Sequence, residues 1–176
     1  MIREQELNNA TLKEVAKKMM LAARTAPKGK GTDNMVISLV EGDEIKAISD
    51  RMIEIGNESG AQAFIRDAAN ILNSPVMVLL GTEIKSLGLI KCGMCGFKNC
   101  TEKNKHPNIP CVFNTGDLGI AIGSAASIAM DNRADNRIMY TVGQAVLDMN
   151  LLGDKVKIAY GIPLTSTSKN PFFDRG

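Results

Sequence analysis

The chain has 176 residues, 44% of them apolar and 23% charged, a globular composition that suits one ordinary domain spanning residues 1–176. A formal net charge of +2 argues against a nucleic-acid binder, and five Phe, two Tyr and no Trp leave no base-stacking platform. No apolar run is long enough to cross a bilayer, and residues 1–9 lack the apolar core of a leader, so a cytoplasmic protein away from the membrane is expected.

In chain order, Thr11 and Glu14 stand at capping-box spacing, and Leu12, Val15, Ala16, Met19 and Ala23 follow at helical spacing. This helix should stop before Pro27, because the residue ahead of a proline disfavours the helical region. Residues 28–34, with Lys28, Lys30, Thr32 and Asn34 among glycines, form a loop, and residues 35–40 a buried strand. Ile45, Ile48, Met52 and Ile55 predict a second helix ended by Gly56. A third carries Phe64, Ala68, Ile71 and Leu72 behind a capping box at Ser59 and Gln62. Residues 76–80 read as a second strand.

A cysteine-rich insertion follows, at about 88–114. Beyond it Asp117 opens a helix in which Gly119, Gly123 and Ser127 recur at four-residue spacing, a ridge suited to close packing in the core or at a dimer seam. Asn132 or Asp135 would cap another helix, bearing Ile138, Met139, Val142, Val146 and Met149. Residues 156–160 form a third strand, and residues 161–164 lead into a polar tail. The order predicts an α/β (α+β) chain.

The chemistry concentrates in Cys92, Cys95, Cys100 and Cys111, the only four cysteines. Gly93 and Gly96 follow the first two and permit the backbone angles of a turn that folds back on one metal or cluster. Four cytoplasmic thiols suit metal binding better than disulfides, and both zinc and an iron–sulfur cluster accept four thiolates. Zinc ribbons bring two Cys-x2-Cys knuckles together, whereas this chain has one, which favours a cluster. His106, within the segment, reads as a solvent-facing residue. The chain has no Walker loop, no His-Glu-x-x-His motif and no Gly-x-Gly-x-x-Gly run, and Asp117, Asp131 and Asp135 read as helix caps.

The run from Cys92 to Cys100 resembles the Cys-Gly-x-Cys-Gly-x-x-x-Cys signature of four-iron cluster domains. Together with residues 131–140 and 161–175, it makes the chain similar to a family of uncharacterised prokaryotic proteins containing a ferredoxin domain. That resemblance implies a 4Fe-4S cluster on the four cysteines. Residues 21–34, a helix ending in Ala-Pro and a Gly- and Asn-containing loop before a strand, also resemble the nitroreductase family. So does the C-terminal order of a small-residue helix, a short helix, a strand, Gly-x-Pro and a basic tail. This second likeness implies a nitroreductase-like three-layer sandwich and a homodimer holding FMN at its interface. Lys28, Lys30, Thr32 and Asn34 would then face the flavin, with Lys169 or Arg175 assisting its phosphate. The expectation is an iron–sulfur, and possible FMN, redox protein that exchanges electrons with a partner or a small-molecule substrate. The alternative is a non-enzymatic module in which structural zinc or a cluster staples the long loop for protein interaction.

Overall fold

Residues 76–80 are apolar without interruption, as a strand needs when both of its faces are covered. The computed structural model, which describes residues 1–173, places them in the sheet interior. The strands are β1 (Met35–Glu41), β2 (Val76–Glu83), β3 (Asp135–Asn136) and β4 (Val156–Thr165), ordered β1-β2-β4-β3 with every pairing antiparallel. The two-residue period of β2 then divides the core. Val76, Val78 and Leu80 face α1 (Asn8–Thr25) and a second long helix, Val112–Asp131. Met77 and Leu79 face α2 (Asp43–Ser59), α3 (Gln62–Ile71) and a short helix, Tyr140–Asp148. The result is helices, sheet, helices: the expected three layers. A four-residue turn of helix, α4 (Cys100–Lys103), lies between β2 and the long helix, so Val112–Asp131 is α5 and Tyr140–Asp148 is α6.

Leu12, Val15, Ala16, Met19 and Ala23 are the five buried residues of α1, and the helix stops two residues before Pro27, as the pattern predicts. Several boundaries differ from expectation. Helix α1 begins earlier, so Thr11 lies inside it and its hydroxyl donates to the Leu7 carbonyl instead of forming a cap. Helix α2 runs past Gly56, which is buried where it meets Ile65, and ends at Gly60, whose φ of 73° supplies the left-handed stop. Ala61, not Ser59, occupies the N-cap of α3, and Leu72 lies past its end, 56% exposed. Strand β4 continues through Gly161 to Thr165, where a tail is expected. Its partner β3 takes Asp135 out of the helix it is expected to cap, Asn132 ends α5 instead, and Met139 occupies the N-cap position of α6.

The backbone of α6 presses onto β4 at Gly143, where a Cβ would fall on the Ala159 carbonyl. Residues 131–140 and the described part of the tail, 161–173, meet across this edge. Asp135 accepts hydrogen bonds from the Thr167 N–H (3.0 Å) and hydroxyl (3.1 Å), and Arg137 donates to the Phe172 carbonyl at 2.7 Å. Phe172 is fully buried, an anchor of about 1.5–3 kcal/mol for the tail. Beneath it Asp67, 3% exposed, accepts from Arg66 (2.8 and 2.9 Å) and from the Thr141 hydroxyl (2.8 Å), with Arg137 3.6 Å away. No helix among the described residues is long and apolar enough to cross a membrane.

Candidate metal centre

Leaving β2, the chain runs without regular structure to Cys92, then turns sharply. Gly93 and Gly96 have φ near +89° and +88°, and the Gly96 N–H donates to the Gly93 carbonyl at 2.9 Å. These are the left-handed angles that the glycines are expected to supply. Cys100 opens α4, whose N-cap Asn99 accepts the Glu102 N–H at 2.9 Å, while the Glu102 carboxylate holds the Lys98 N–H at 2.9 Å. Cys111 sits at the N-cap of the twenty-residue α5.

All four cysteines are unbridged and line a single small cavity of about 10 Å³, whose walls close tightly on the space. Leu87, Leu89 and Phe113 supply the apolar wall, and Lys103 borders the same space. Cys92 is exposed, Cys95 and Cys100 are half-buried, and Cys111 is 5% exposed, so the cavity has one open edge. Among the described residues, no three His, Cys, Asp or Glu side chains gather closely enough to ligate a single ion. The shared feature of the thiols is the cavity rather than a common point. His106 is exposed and stacks on Phe97 at 5.1 Å, outside that lining.

A residue the sequence does not advertise fixes the fourth cysteine. Asn114, 3% exposed, accepts the Cys111 N–H at 3.0 Å and the Lys85 N–H at 3.2 Å, and donates to the Lys85 carbonyl at 3.0 Å. It clamps the exit of β2 to the start of α5. The arrangement is that of a capping box, but Cys-x-x-Asn lacks the usual Ser/Thr and Glu/Gln pair that would have signalled it. The Asn114 N–H in turn reaches back to the Cys111 side chain, completing the box from the other direction.

The Lys28–Asn34 segment lies against this site. A Cβ at Gly29 would stand 2.7 Å from Leu87 and 2.9 Å from Phe113, two side chains of the cysteine cavity wall. The Gly29 N–H donates to both oxygens of Asp117 at 3.1 Å, so Asp117 lies within α5 and anchors the loop instead of capping the helix. Lys28 donates to the carbonyls of Ala23 (3.2 Å), Arg24 (2.7 Å) and Ala26 (2.9 Å), closing the C-terminal end of α1. Lys30 is exposed with φ of 53°, and Thr32 is half-buried. The Asn34 carbonyl accepts the Glu83 N–H at 3.0 Å, joining the loop to the end of β2. Burial pushes the Asp33 carboxyl up, yet its bonds to Arg24 and to the Met35 N–H, with the charges of Arg24 and Lys28, hold it below the ordinary carboxylate value. Lys169 is exposed in the tail, its carbonyl accepting the Thr167 hydroxyl, and Arg175 lies outside the described residues.

Comparisons with known proteins agree with this layout. A BluB-like flavoprotein from Clostridium difficile 630 superposes with a TM-score of 0.56 at 19% identity, covering 89% of this chain and 84% of its own. The nitroreductase CinD from Lactococcus lactis, solved with nicotinic acid, gives 0.63 at 12% over 89% and 79%. The FMN and NADPH-dependent nitroreductase NfnB from Sphigopyxis sp. strain HMH gives 0.58 at 14% over 91% and 82%. The fold is therefore the nitroreductase fold. An uncharacterized protein of Archaeoglobus fulgidus is 35% identical over 99% of this chain and 97% of its own length. Residues 107–175, which begin just before Cys111, match the family described as "Uncharacterized protein containing a ferredoxin domain", and the chain belongs to that family.

Proposed function

We propose that the chain is a cytoplasmic redox protein in which Cys92, Cys95, Cys100 and Cys111 hold an iron–sulfur cluster of the four-iron type. The observation that carries this reading is that all four cysteines, from the loop after β2, from α4 and from the start of α5, line one cavity with Leu87, Leu89 and Phe113 in its wall. The donor set fits: soft thiolates, with no carboxylate or imidazole among the lining residues. When bound, such a cluster supplies one-electron transfer. The chain's own groups would do the rest. Leu87, Leu89 and Phe113 exclude water, Asn114 fixes Cys111, and the open edge at Cys92 gives an electron-transfer partner or small substrate its approach.

Anaerobic purification tests the reading. Brown protein with equal iron and sulfide, about four each per chain, is expected. A colourless protein with one zinc per chain would instead establish the structural alternative. A Cys111→Ser variant should lose bound iron, and an unchanged iron content removes Cys111 from the ligand set.

FMN is a second cofactor in this proposal, supported by the fold and by the contact of Gly29 with the cavity wall. Lys28 and the Gly29 N–H are engaged within the chain, so within the loop the phosphate falls to Lys30 and Thr32, with Asn34 facing the flavin and Lys169 and Arg175 assisting from the tail. Flavin would lie at a homodimer seam on the exposed face of α5, where Gly116, Gly119 and Gly123 have open space over them beside Ile120, which is 48% exposed. Resolved flavin absorbance released on denaturation supports this arrangement. Its absence after soaking with FMN, or a monomer by light scattering, refutes it.

A further inference from the structure

Two charged residues are buried among the described part of the chain, and they differ in their surroundings. Asp67 is met by Arg66, Arg137 and the Thr141 hydroxyl. Lys103 is 3% exposed as a whole residue, and among the described residues its ammonium makes no hydrogen bond or ion pair, its tip keeping contact with solvent. The long stem is buried and the charge stays at the edge of water, because an isolated buried charge costs several kcal/mol. The adjacent acid does not answer it: Glu102 is exposed and its carboxylate holds the Lys98 N–H.

The surroundings of Lys103 are the cysteine site. It is the last residue of α4, which Cys100 begins, and the three-residue spacing puts both side chains on one face of that turn. Lys103 borders the cavity lined by Cys92, Cys95, Cys100 and Cys111. We propose that Lys103 is the counter-charge of this site, an ammonium on a buried stem that stabilises the negative charge gathered by the four thiolates and raises the reduction potential of the group they hold. The inference rests on the cluster reading above. A cluster held by four thiolates is an anion in both of its working states and gains one more negative charge on reduction. A positive charge held beside it therefore favours the reduced state, and net charge near a cluster is one of the determinants of its potential. Lys103 is a positioning and tuning residue here, not a ligand.

The test is a redox titration of anaerobically reconstituted protein, followed by the signal of the reduced cluster. Wild type, Lys103→Met, Lys103→Arg and Lys105→Met would be compared. Methionine keeps the length and removes the charge, arginine keeps the charge, and Lys105 is an exposed lysine two residues away that serves as control. The potential should fall in Lys103→Met, stay near wild type in Lys103→Arg, and move much less in Lys105→Met. Loss of iron from a folded Lys103→Met that is reversed in Lys103→Arg also meets the proposal, since charge separates the two. A Lys103→Met protein at the wild-type potential overturns it, as does an equal shift in Lys105→Met. Failure of both Lys103 variants to fold also overturns it, by showing a packing role. A wild-type chain that takes up no iron and sulfide refutes the cluster reading itself, before any comparison of variants.

Discussion

Replacing Asn114 by Ala should loosen a joint that ties the start of α5 to the exit of β2. The side chain makes three hydrogen bonds, to the Cys111 N–H, the Lys85 N–H and the Lys85 carbonyl, and all three backbone partners lose it at once. At about 1 kcal/mol per bond the loss is about 3 kcal/mol, with up to about 3 kcal/mol for a single group left buried and unpaired. The Cys111 bond is buried, whereas the two at Lys85 are part-buried and open to replacement by water, so about 2–3 kcal/mol is the expected net cost. For a chain of this size that is roughly 5–10 °C in Tm, read by calorimetry on the metal-free protein. Asn114→Asp keeps the acceptor for both N–H groups and places its charge in the first turn of α5, where the helix dipole favours it, so it should recover more than half of the loss. Asn114→Ala should also bind less iron on reconstitution. An Asn114→Ala melt within about 1 °C of wild type would show that the clamp contributes nothing and that the rest of the segment positions Cys111.

Asp67→Ala removes the acceptor shared by Arg66, Arg137 and Thr141 and strands the Arg137 guanidinium, so a cost of about 3–5 kcal/mol and roughly 10 °C in Tm is expected. A melt unchanged from wild type would show that Arg137 finds water instead. Gly143→Ala drives a Cβ onto the Ala159 carbonyl and should cost about 3 kcal/mol or more, measured by urea unfolding; tolerance of alanine would mean that α6 slides freely on β4. The folded Asp33 carboxyl titrates below its ordinary value, so its ionised form favours the folded loop above that value, and the contribution is lost as pH falls through the lower folded value. Limited proteolysis near residue 30 should therefore distinguish Asp33→Asn from wild type at neutral pH and converge in strong acid; equal cleavage at neutral pH refutes the role.

The elements most legible in the sequence are those with an uninterrupted period. Five apolar positions of α1 and the continuous run in β2 specify a helix packed on one face and a strand buried on both, and the sandwich follows from them. Boundaries failed where polar residues look like caps. Thr11, Ser59, Asp117 and Asp135 are each the right residue type for an N-cap, yet each is used elsewhere: Thr11 bonds back within a helix, Ser59 ends one, and Asp117 and Asp135 hold distant backbone groups at Gly29 and Thr167. Those uses depend on contacts between segments up to 88 residues apart, which no local pattern encodes. The same holds at the site. Spacing marks four cysteines as one unit, but Asn114 and Lys103 gain their roles only when β2, α4 and α5 are brought together.

The long-range contacts also change what the Lys28–Asn34 loop is for. Read along the chain, two lysines among glycines make a cradle for phosphate. In three dimensions Lys28 closes α1, Asp117 takes the Gly29 N–H, and the Asn34 carbonyl takes an N–H from the end of β2. The last two of these bonds fix the loop to elements that also position a cysteine: α5 begins beside Cys111, and β2 leads into the stretch that reaches Cys92. Leu87 and Phe113 lie between, touching Gly29 on one side and the thiol cavity on the other. A loop bound this way is stiff and one side-chain layer from the proposed cluster. That is the property electron transfer between two bound groups requires, and it makes Gly29 more telling than either neighbouring lysine. A Gly29→Val change would force Leu87 and Phe113 aside and should disturb iron binding at the cysteines as well as any flavin beyond them. An effect on flavin alone, with iron content and potential unchanged, would show that the two sites are independent.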